Sequence, residues 1–274
     1  MTTTNVETVA ADPLTERVRA TWTAGDFGRI ARGYERGAGE FIGRLGMNVG
    51  DRVLDVATGT GNLAIPAARS GAFVTGVDIA PNLIEQAKVN AEQEGLEIRF
   101  DVGDAEELSY ADGAFDTVVT MFGAMFAARP DRAAAELIRV TRSGGKIAMA
   151  NWTPTGFIGQ MFRTVARHVP PPGGIPSPIL WGSEIEVNAR LRNGVRSLVL
   201  TPRTITFEYP FSATETVDLF RQWYGPTVRA FASLDDAGQR ALQTDLESLW
   251  NENNRATDGT TRVESEYLEV VAVV

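Results

Sequence analysis

The chain has 274 residues, of which 43% are hydrophobic and 22% are charged, and this composition is sufficient for a sizeable core in one large domain. Its formal net charge of −9, without any run of Lys or Arg, argues against nucleic acid as a partner. With no cysteine and a single histidine, His168, the sequence excludes disulfides, thiolate zinc sites and cysteine nucleophiles, and we expect no metal.

The N-terminal part carries no apolar leader, and no run of about 18 apolar residues follows it. We therefore expect a cytoplasmic protein that does not span a membrane. The polar composition predicts disorder over roughly the first dozen residues, and short helices are expected from there to residue 46. Residues 1–46 are assigned to this tail and its cap helices.

Apolar segments that read as strands then alternate with helical patterns as far as residue 152. Such alternation predicts a parallel, doubly wound sheet of Rossmann-like type, with helices on both faces. We assign residues 47–152 to this core. Its five predicted strands are residues 52–57, 73–79, 97–104, 115–122 and 144–152.

The rest of the chain, residues 153–274, changes character. Residues 169–178 hold five prolines and cannot form a helix or a central strand. A strand is predicted at 204–209, and the apolar C-terminal run is predicted to be a last strand, buried on both faces. Two helical stretches, about 214–224 and 235–253, separate these strands, so residues 210–261 are expected to form a helical insertion.

Three acidic residues stand at the ends of the first three strands, next to a glycine turn. Gly59 and Gly61 follow strand one and let the backbone approach a ligand closely. Asp55, Asp78 and Asp104 end successive strands, and strand ends of an open α/β sheet face one crevice. A ribose diol, an adenine amino group and a cationic tail would satisfy the three acids, and S-adenosylmethionine carries all of these groups.

At these residues the chain resembles the class I S-adenosylmethionine-dependent methyltransferases. The resemblance spans about residues 50–152, with Ala57 where many members have another glycine. Later segments, "NWTPTGFIGQMF" and "ILWG", are similar to a subgroup of bacterial small-molecule methyltransferases. The motifs that carry the resemblance are "VLDVATGTG", "GVDIA", "VGDAEELSY" and "FDTVVTMFG".

The resemblance implies a seven-stranded sheet whose last strand runs antiparallel between strands five and six. It also implies that Asp78 holds the ribose, that Ile79 packs on the adenine, and that Asp104 accepts from the adenine amino group. Asp78 and Asp104 could instead be helix caps or turn residues, and Asp55 could bind amides of its own turn. The predicted cofactor-binding residues are Asp55, Ala57, Thr58, Gly59, Gly61, Asp78, Ile79, Asp104, Ala105 and Met121.

Candidates for proton abstraction are few. His168 has the side chain whose ordinary pKa best suits a general base, although a histidine at a helix end can simply act as a C-terminal cap. Tyr34 is the second candidate, and the resemblance implies that Trp22 and Tyr34 close over the methionine end of the cofactor. Asp26 and Tyr224 are further candidates, and the sequence places none of these three better than another. The predicted acceptor pocket consists of Trp152, Phe162, Trp181, Trp223 and Tyr224.

The predicted function is methyl transfer from S-adenosylmethionine to a small, apolar or aromatic molecule, by O- or C-methylation, with S-adenosylhomocysteine as the product. A glycine turn with a later acid also fits NAD, so an NAD-dependent oxidoreductase is the first alternative. A non-catalytic binding protein with a methyltransferase fold is the second. The protein is expected to be a monomer or a homodimer.

Overall fold

The computed structural model describes residues 12–171 and 173–274. Most of the segment predicted to be disordered therefore lies outside the described residues. Within them, seven strands form one sheet. The strands are β1 Arg52–Val56, β2 Phe73–Asp78, β3 Arg99–Val102, β4 Phe115–Met121, β5 Thr141–Trp152, β6 Ser197–Tyr209 and β7 Thr261–Val273.

Helices flank the sheet and cover its ends. Three short helices precede β1, and three lie between β6 and β7. The helices are α1 Pro13–Thr23, α2 Phe27–Ala31, α3 Glu35–Arg44, α4 Ala64–Arg69, α5 Pro81–Gln93, α6 Pro130–Val140, α7 Phe157–His168, α8 Glu184–Leu191, α9 Ala213–Trp223, α10 Gly225–Ala232 and α11 Asp236–Asn253.

The strand order is β3-β2-β1-β4-β5-β7-β6, and β7 runs antiparallel to both of its neighbours. The predicted Rossmann-like, doubly wound sheet with an antiparallel last strand is thereby confirmed. Strand order reverses between β1 and β4, and ligands of open α/β sheets bind at such a switch point, beyond the carboxyl ends of the strands. The fold therefore places the crevice next to the glycine turn.

Local sequence explains where several helices begin. Pro81 and Pro130 occupy the first turn of α5 and α6, where a missing N–H costs nothing. Pro66 lies in the first turn of α4, the position in which a proline is tolerated. Ser212 and Glu215 form a reciprocal capping box at the start of α9.

The structure differs from the sequence interpretation in the C-terminal part. Three helices lie between β6 and β7, whereas the sequence predicted two helical stretches. The helical backbone is interrupted between α9 and α10, where Pro226 lies in the first turn of α10. Strand β7 begins at Thr261, ahead of the apolar run that predicted it. The first half of the strand alternates buried and exposed residues, so only its second half has the continuous apolar pattern of a strand buried on both faces. Pro202 is tolerated within β6 because that strand is an edge strand that pairs only with β7.

The described ranges contain neither a membrane-spanning helix nor a metal-binding cluster. No helix in residues 12–171 or 173–274 is long and apolar enough to cross a membrane. The same ranges hold no group of three or more His, Asp or Glu side chains arranged to hold a metal ion.

Candidate active site

A cavity opens at the carboxyl ends of β1, β2 and β4. It contains about 670 Å³ of free space, part of it continuous with solvent. Seven of the ten residues predicted to bind the cofactor line it, so the tertiary structure brings most of the predicted set together. These seven are Ala57, Gly59, Asp78, Ile79, Asp104, Ala105 and Met121.

Asp78 lies at the end of β2 with its carboxyl group on the cavity wall. The Gly59 N–H donates to Asp78 Oδ2 at 2.8 Å, and the Ala80 N–H donates to Asp78 Oδ1 at 2.9 Å. Burial raises the pKa of Asp78 to about 6, although both backbone bonds act to lower it. Each carboxylate oxygen retains a second lone pair, which a ligand hydroxyl could use.

Asp55, at the end of β1, serves the turn itself. Its Oδ2 accepts from the Thr58 hydroxyl at 2.6 Å and from the Ala64 N–H at 3.0 Å. Burial raises the pKa of Asp55 to about 7. Asp55 and Thr58 are not among the residues that line the cavity, so this geometry is that of an acid bonding groups of its own turn. Gly61 faces a separate, polar pocket next to α4.

Asp104 connects the sheet to α1. The Thr15 hydroxyl donates to Asp104 Oδ2 at 3.0 Å, and the Glu106 N–H donates to Asp104 Oδ1 at 2.9 Å. Helix α1 has no fully buried residue, yet its Thr15, Val18 and Trp22 line the cavity. The helix therefore covers the cavity on the side of Asp104.

Two residues of the cavity wall have a left-handed backbone that non-glycine residues rarely adopt. Ala57 and Phe122 follow β1 and β4, and both have φ of 57°. The Phe122 ring stacks on Trp152, with centroids 3.5 Å apart. The next residue, Gly123, has to be a glycine, because a Cβ there would approach the Cβ of Ala57 to 2.5 Å. Backbone strain of this kind concentrates at functional sites.

A second, larger space adjoins the cavity. This groove runs between α1, α7, α10 and the proline-rich segment, and it contains about 1930 Å³ of free space that opens to solvent. We name it the acceptor groove after the role proposed for it below. Val18, Trp22 and Phe126 line both the cavity and the groove. The Trp22 and Phe126 rings meet edge to face at 4.8 Å, and Phe126 meets Phe162 at 6.0 Å. These rings form a continuous wall from one space to the other.

Comparison with known proteins gives the family. A family model described as a methyltransferase domain matches residues 53–145. The uncharacterized protein Rv1403c of Mycobacterium tuberculosis is 38% identical over 231 residues, 84% of each chain. The ubiquinone/menaquinone biosynthesis C-methyltransferase UbiE of Bdellovibrio bacteriovorus is 32% identical over 167 residues, 54% of this chain and 71% of that one. The chain belongs to the class I S-adenosylmethionine-dependent methyltransferases.

The solved structures agree with this assignment at the level of the fold. The YcgJ protein from Bacillus subtilis superposes on this methyltransferase with a TM-score of 0.59 at 17% identity, covering 87% of this chain and 97% of that one. The family model and the UbiE relative confirm the predicted enzyme class, in preference to the NAD-dependent oxidoreductase.

Most aromatic residues predicted for the acceptor pocket lie in the hydrophobic core of the methyltransferase instead. Trp152, Trp181 and Tyr224 are at most 4% exposed, and none of them lines the acceptor groove. Trp223 is partly exposed beneath the Arg29 guanidinium, 4.3 Å from its ring centroid. Of the predicted set, Phe162 lines the groove.

None of the four candidate bases, His168, Tyr34, Asp26 and Tyr224, lines the cavity or the groove. His168 is the last residue of α7, the position from which a histidine can act as a C-terminal cap. Its Nε2 lies 2.8 Å from Asp245 Oδ2 on α11. Tyr34 packs between Phe122 and Phe207, and burial raises its pKa well above the ordinary value of a phenol. A phenol in that state keeps its proton near neutral pH, so the structure disfavours Tyr34 as a base.

Several residues of the site were missing from the sequence interpretation. Thr15 and Val18 on α1, and Glu106 and Phe126 beside the sheet, line the cavity. The spacing of Val18 and Trp22 could have indicated that α1 contacts the site. These two residues, at i and i+4, give one apolar face to a helix that carries few other apolar residues. No local pattern indicated which partner that face would meet.

Proposed function

We propose that this methyltransferase acts on a small, largely apolar or aromatic molecule held in the acceptor groove, and that the methyl group is transferred to a carbon or to an ionised oxygen. The observation that carries the proposal is the shared wall of Val18, Trp22 and Phe126, which lies between the cavity and the groove. A molecule in the groove would thus lie beside a molecule in the cavity at these three side chains, and its nucleophilic atom would have to reach past them to contact the methyl group directly.

The cavity suits the cofactor that the family uses. The buried carboxyl group of Asp78 offers lone pairs to the ribose hydroxyls, and Asp104 offers the same to the adenine amino group. Ile79 and Met121 supply apolar wall, and the positive φ of Gly59 brings the backbone close. We propose these residues as the cofactor-binding set, with S-adenosylhomocysteine as product and no metal.

S-adenosylmethionine, when bound, supplies a methyl group already activated by its sulfonium charge. The protein therefore has to align the acceptor and exclude water, and alignment alone can contribute an effective molarity on the order of 10⁵ M or more. Val18, Trp22 and Phe126 form the apolar wall that the cavity shares with the groove. Their packing would fix the direction from which an acceptor approaches.

The acceptor has to arrive with a nucleophilic atom of its own. Among the described residues, those lining the groove include no His, Asp, Glu, Lys or Tyr, so no base that titrates near neutral pH faces the acceptor. An enolic or electron-rich aromatic carbon, or an ionised phenol, would need no such base. The similarity to a C-methyltransferase named for quinone biosynthesis supports the carbon option.

The test combines a product assay with a binding assay. The purified protein is incubated with S-adenosylmethionine and a panel of phenols, naphthohydroquinones and 1,3-dicarbonyl compounds, and mass spectrometry detects methylated products. We expect apolar aromatic members to be methylated, and Phe162→Asp to lower the rate because it places a charge in the groove. The same variant should bind S-adenosylhomocysteine normally by calorimetry.

Asp78→Asn tests the cavity in the same assays. It should weaken S-adenosylhomocysteine binding by about tenfold to a hundredfold, the effect of losing a hydrogen bond to a charged group. Asp116→Asn is the matched control, because Asp116 pairs with Arg52 and Arg142 at the opposite ends of the strands. Methylation of peptides or nucleic acids alone, or an unchanged rate in Phe162→Asp, would contradict the proposal.

A further inference from the structure

The charge of the acceptor groove is opposite to that of the protein as a whole. The chain carries 35 acidic and 26 basic residues, apart from its histidine. Among the described residues, the groove lining contains three arginines and no acidic side chain. The arginines are Arg17 on α1, Arg163 on α7 and Arg229 on α10, so three different elements each contribute one.

These guanidinium groups have little to bind within the protein. Arg163 donates to the Pro154 carbonyl oxygen. Among the contacts between described residues, the side chains of Arg17 and Arg229 make no hydrogen bond or ion pair, whereas most other arginines of this chain pair with a carboxylate. Exposed arginines that flank an apolar surface are suited to an anionic group of a ligand.

We infer that the acceptor is amphipathic: an apolar or aromatic body bearing one anionic group, a carboxylate or a group of similar charge. The body lies along Trp22, Phe126 and Phe162, and the anion lies near the exposed side chains of Arg17, Arg163 and Arg229, which line the same groove. This inference rests on the proposed function, since it adds a substrate class to the same groove. It also fits an acceptor whose nucleophile is an enolate or a phenolate, because the same positive field stabilises that charge.

The test uses two fluorescent probes that differ in one charged group. 1-Anilinonaphthalene-8-sulfonate is an apolar aromatic anion, and N-phenyl-1-naphthylamine is the same ring system without the sulfonate. Both are titrated into the full-length protein with saturating S-adenosylhomocysteine, which occupies the cavity. The quantity compared is the ratio of the two dissociation constants, because burial of the rings affects both probes alike.

We expect Arg229→Gln and Arg17→Gln each to weaken the anionic probe relative to the neutral probe by about fivefold, the range for a partly exposed ion pair. The double variant should lose about tenfold or more. Arg167→Gln is the matched control, since it lies one turn after Arg163 on α7, removes the same charge and faces Asp245 rather than the groove. Salt should reduce binding of the anionic probe alone.

The outcomes separate this inference from the proposal on which it rests. If both probes bind and Phe162→Ser weakens both, the groove is an apolar binding site. An unchanged ratio in the arginine variants would then overturn the anionic class alone. If Phe162→Ser affects neither probe, or neither probe binds, the groove is not the acceptor site and both conclusions fail. A ratio that changes equally in Arg167→Gln would likewise overturn the inference.

Discussion

Single residues at the strand ends show how this chain departs from the pattern of its family. Ala57 stands where many class I methyltransferases have glycine, and its backbone has φ of 57°, a region in which glycine has no steric penalty. A Cβ at Gly123 would meet both the methyl group and the carbonyl oxygen of Ala57, at 2.5 and 2.8 Å, so only a residue without Cβ fits there. The substitution therefore costs conformational energy that the surrounding wall has to offset.

Ala57→Gly should raise the free energy of unfolding by about 0.5–1 kcal/mol, because relief of the left-handed alanine exceeds the extra freedom of glycine in the unfolded chain. Urea denaturation measures the change. Ala68→Gly in α4 is the control, since its helical backbone gives no such relief and glycine should destabilise it by about 1 kcal/mol. Equal losses in both variants would contradict the strain at Ala57.

At the scale of residues, those predicted to bind the cofactor come together in the structure, whereas most of those predicted for the acceptor pocket do not. Acids at strand ends and a glycine turn are local features, and seven of the ten predicted residues meet at one cavity. The aromatic residues of the acceptor pocket had no such local marker. Trp152 and Trp181 are predicted to line the acceptor pocket only from their positions along the chain. Both lie in the core, because large aromatic rings are buried wherever packing permits.

Among the elements, α1 is held over the cavity by polar contacts and by the ring of Trp22, and none of its residues is fully buried. The guanidinium of Arg129 bridges Asp12, the N-cap of α1, and Glu106 of the cavity wall, and the Thr15 hydroxyl bonds Asp104. Glu106 is nearly inaccessible, and its burial raises its pKa even beside Arg129. A helix attached in this way can separate from the cavity without disrupting the core.

Arg129→Gln should release the N-terminal end of α1 and speed dissociation of S-adenosylhomocysteine by about threefold to tenfold, as expected for loss of partly exposed ion pairs. Stopped-flow fluorescence of Trp22, which lines the cavity, reports the rate. Arg36→Gln removes a surface pair with Glu40 that does not touch α1 and serves as the control. An unchanged dissociation rate in Arg129→Gln would show that α1 does not limit exchange.

For the whole molecule, the two buried acids of the crevice link stability to pH. Burial raises the pKa of Asp55 to about 7 and that of Asp78 to about 6, whereas an unfolded chain ionises both near pH 4, roughly. Between these values the unfolded state has released protons that the folded state retains. The contribution of each acid to stability therefore falls as pH rises, by about 1.4 kcal/mol per unit where only one state titrates.

Asp55→Asn removes one of these titrations. The free energy of unfolding of the variant, relative to the wild type, should rise between pH 5 and 7 and become constant above that range. Asp116→Asn is the control, because Arg52 lowers the pKa of Asp116 whereas burial raises that of Asp55. Asp116 is ionised in both the folded and the unfolded state above pH 5, so the free energy of unfolding of this variant relative to the wild type should not change with pH there. Chemical denaturation at several pH values measures both. A flat profile for Asp55→Asn would contradict a buried, late-ionising carboxyl group.

The sequence by itself determined the sheet and the class of cofactor. Strand periodicity, helix-starting prolines and acids at strand ends are local, and the switch point of a doubly wound sheet brings those ends together by topology alone. Even the antiparallel position of β7 followed from a buried apolar run and the resemblance to one family.

The tertiary structure decided which elements form the groove in which we propose that the acceptor binds. The groove combines α1, α10, and α7 with the proline-rich segment that follows it, three parts of the chain that are distant in sequence and carry no shared pattern. Likewise, His168 proved to face Asp245, 77 positions further along the chain. Contacts of this kind depend on the packing of separate elements, whose energy is spread over many side chains and leaves no periodic trace in the sequence.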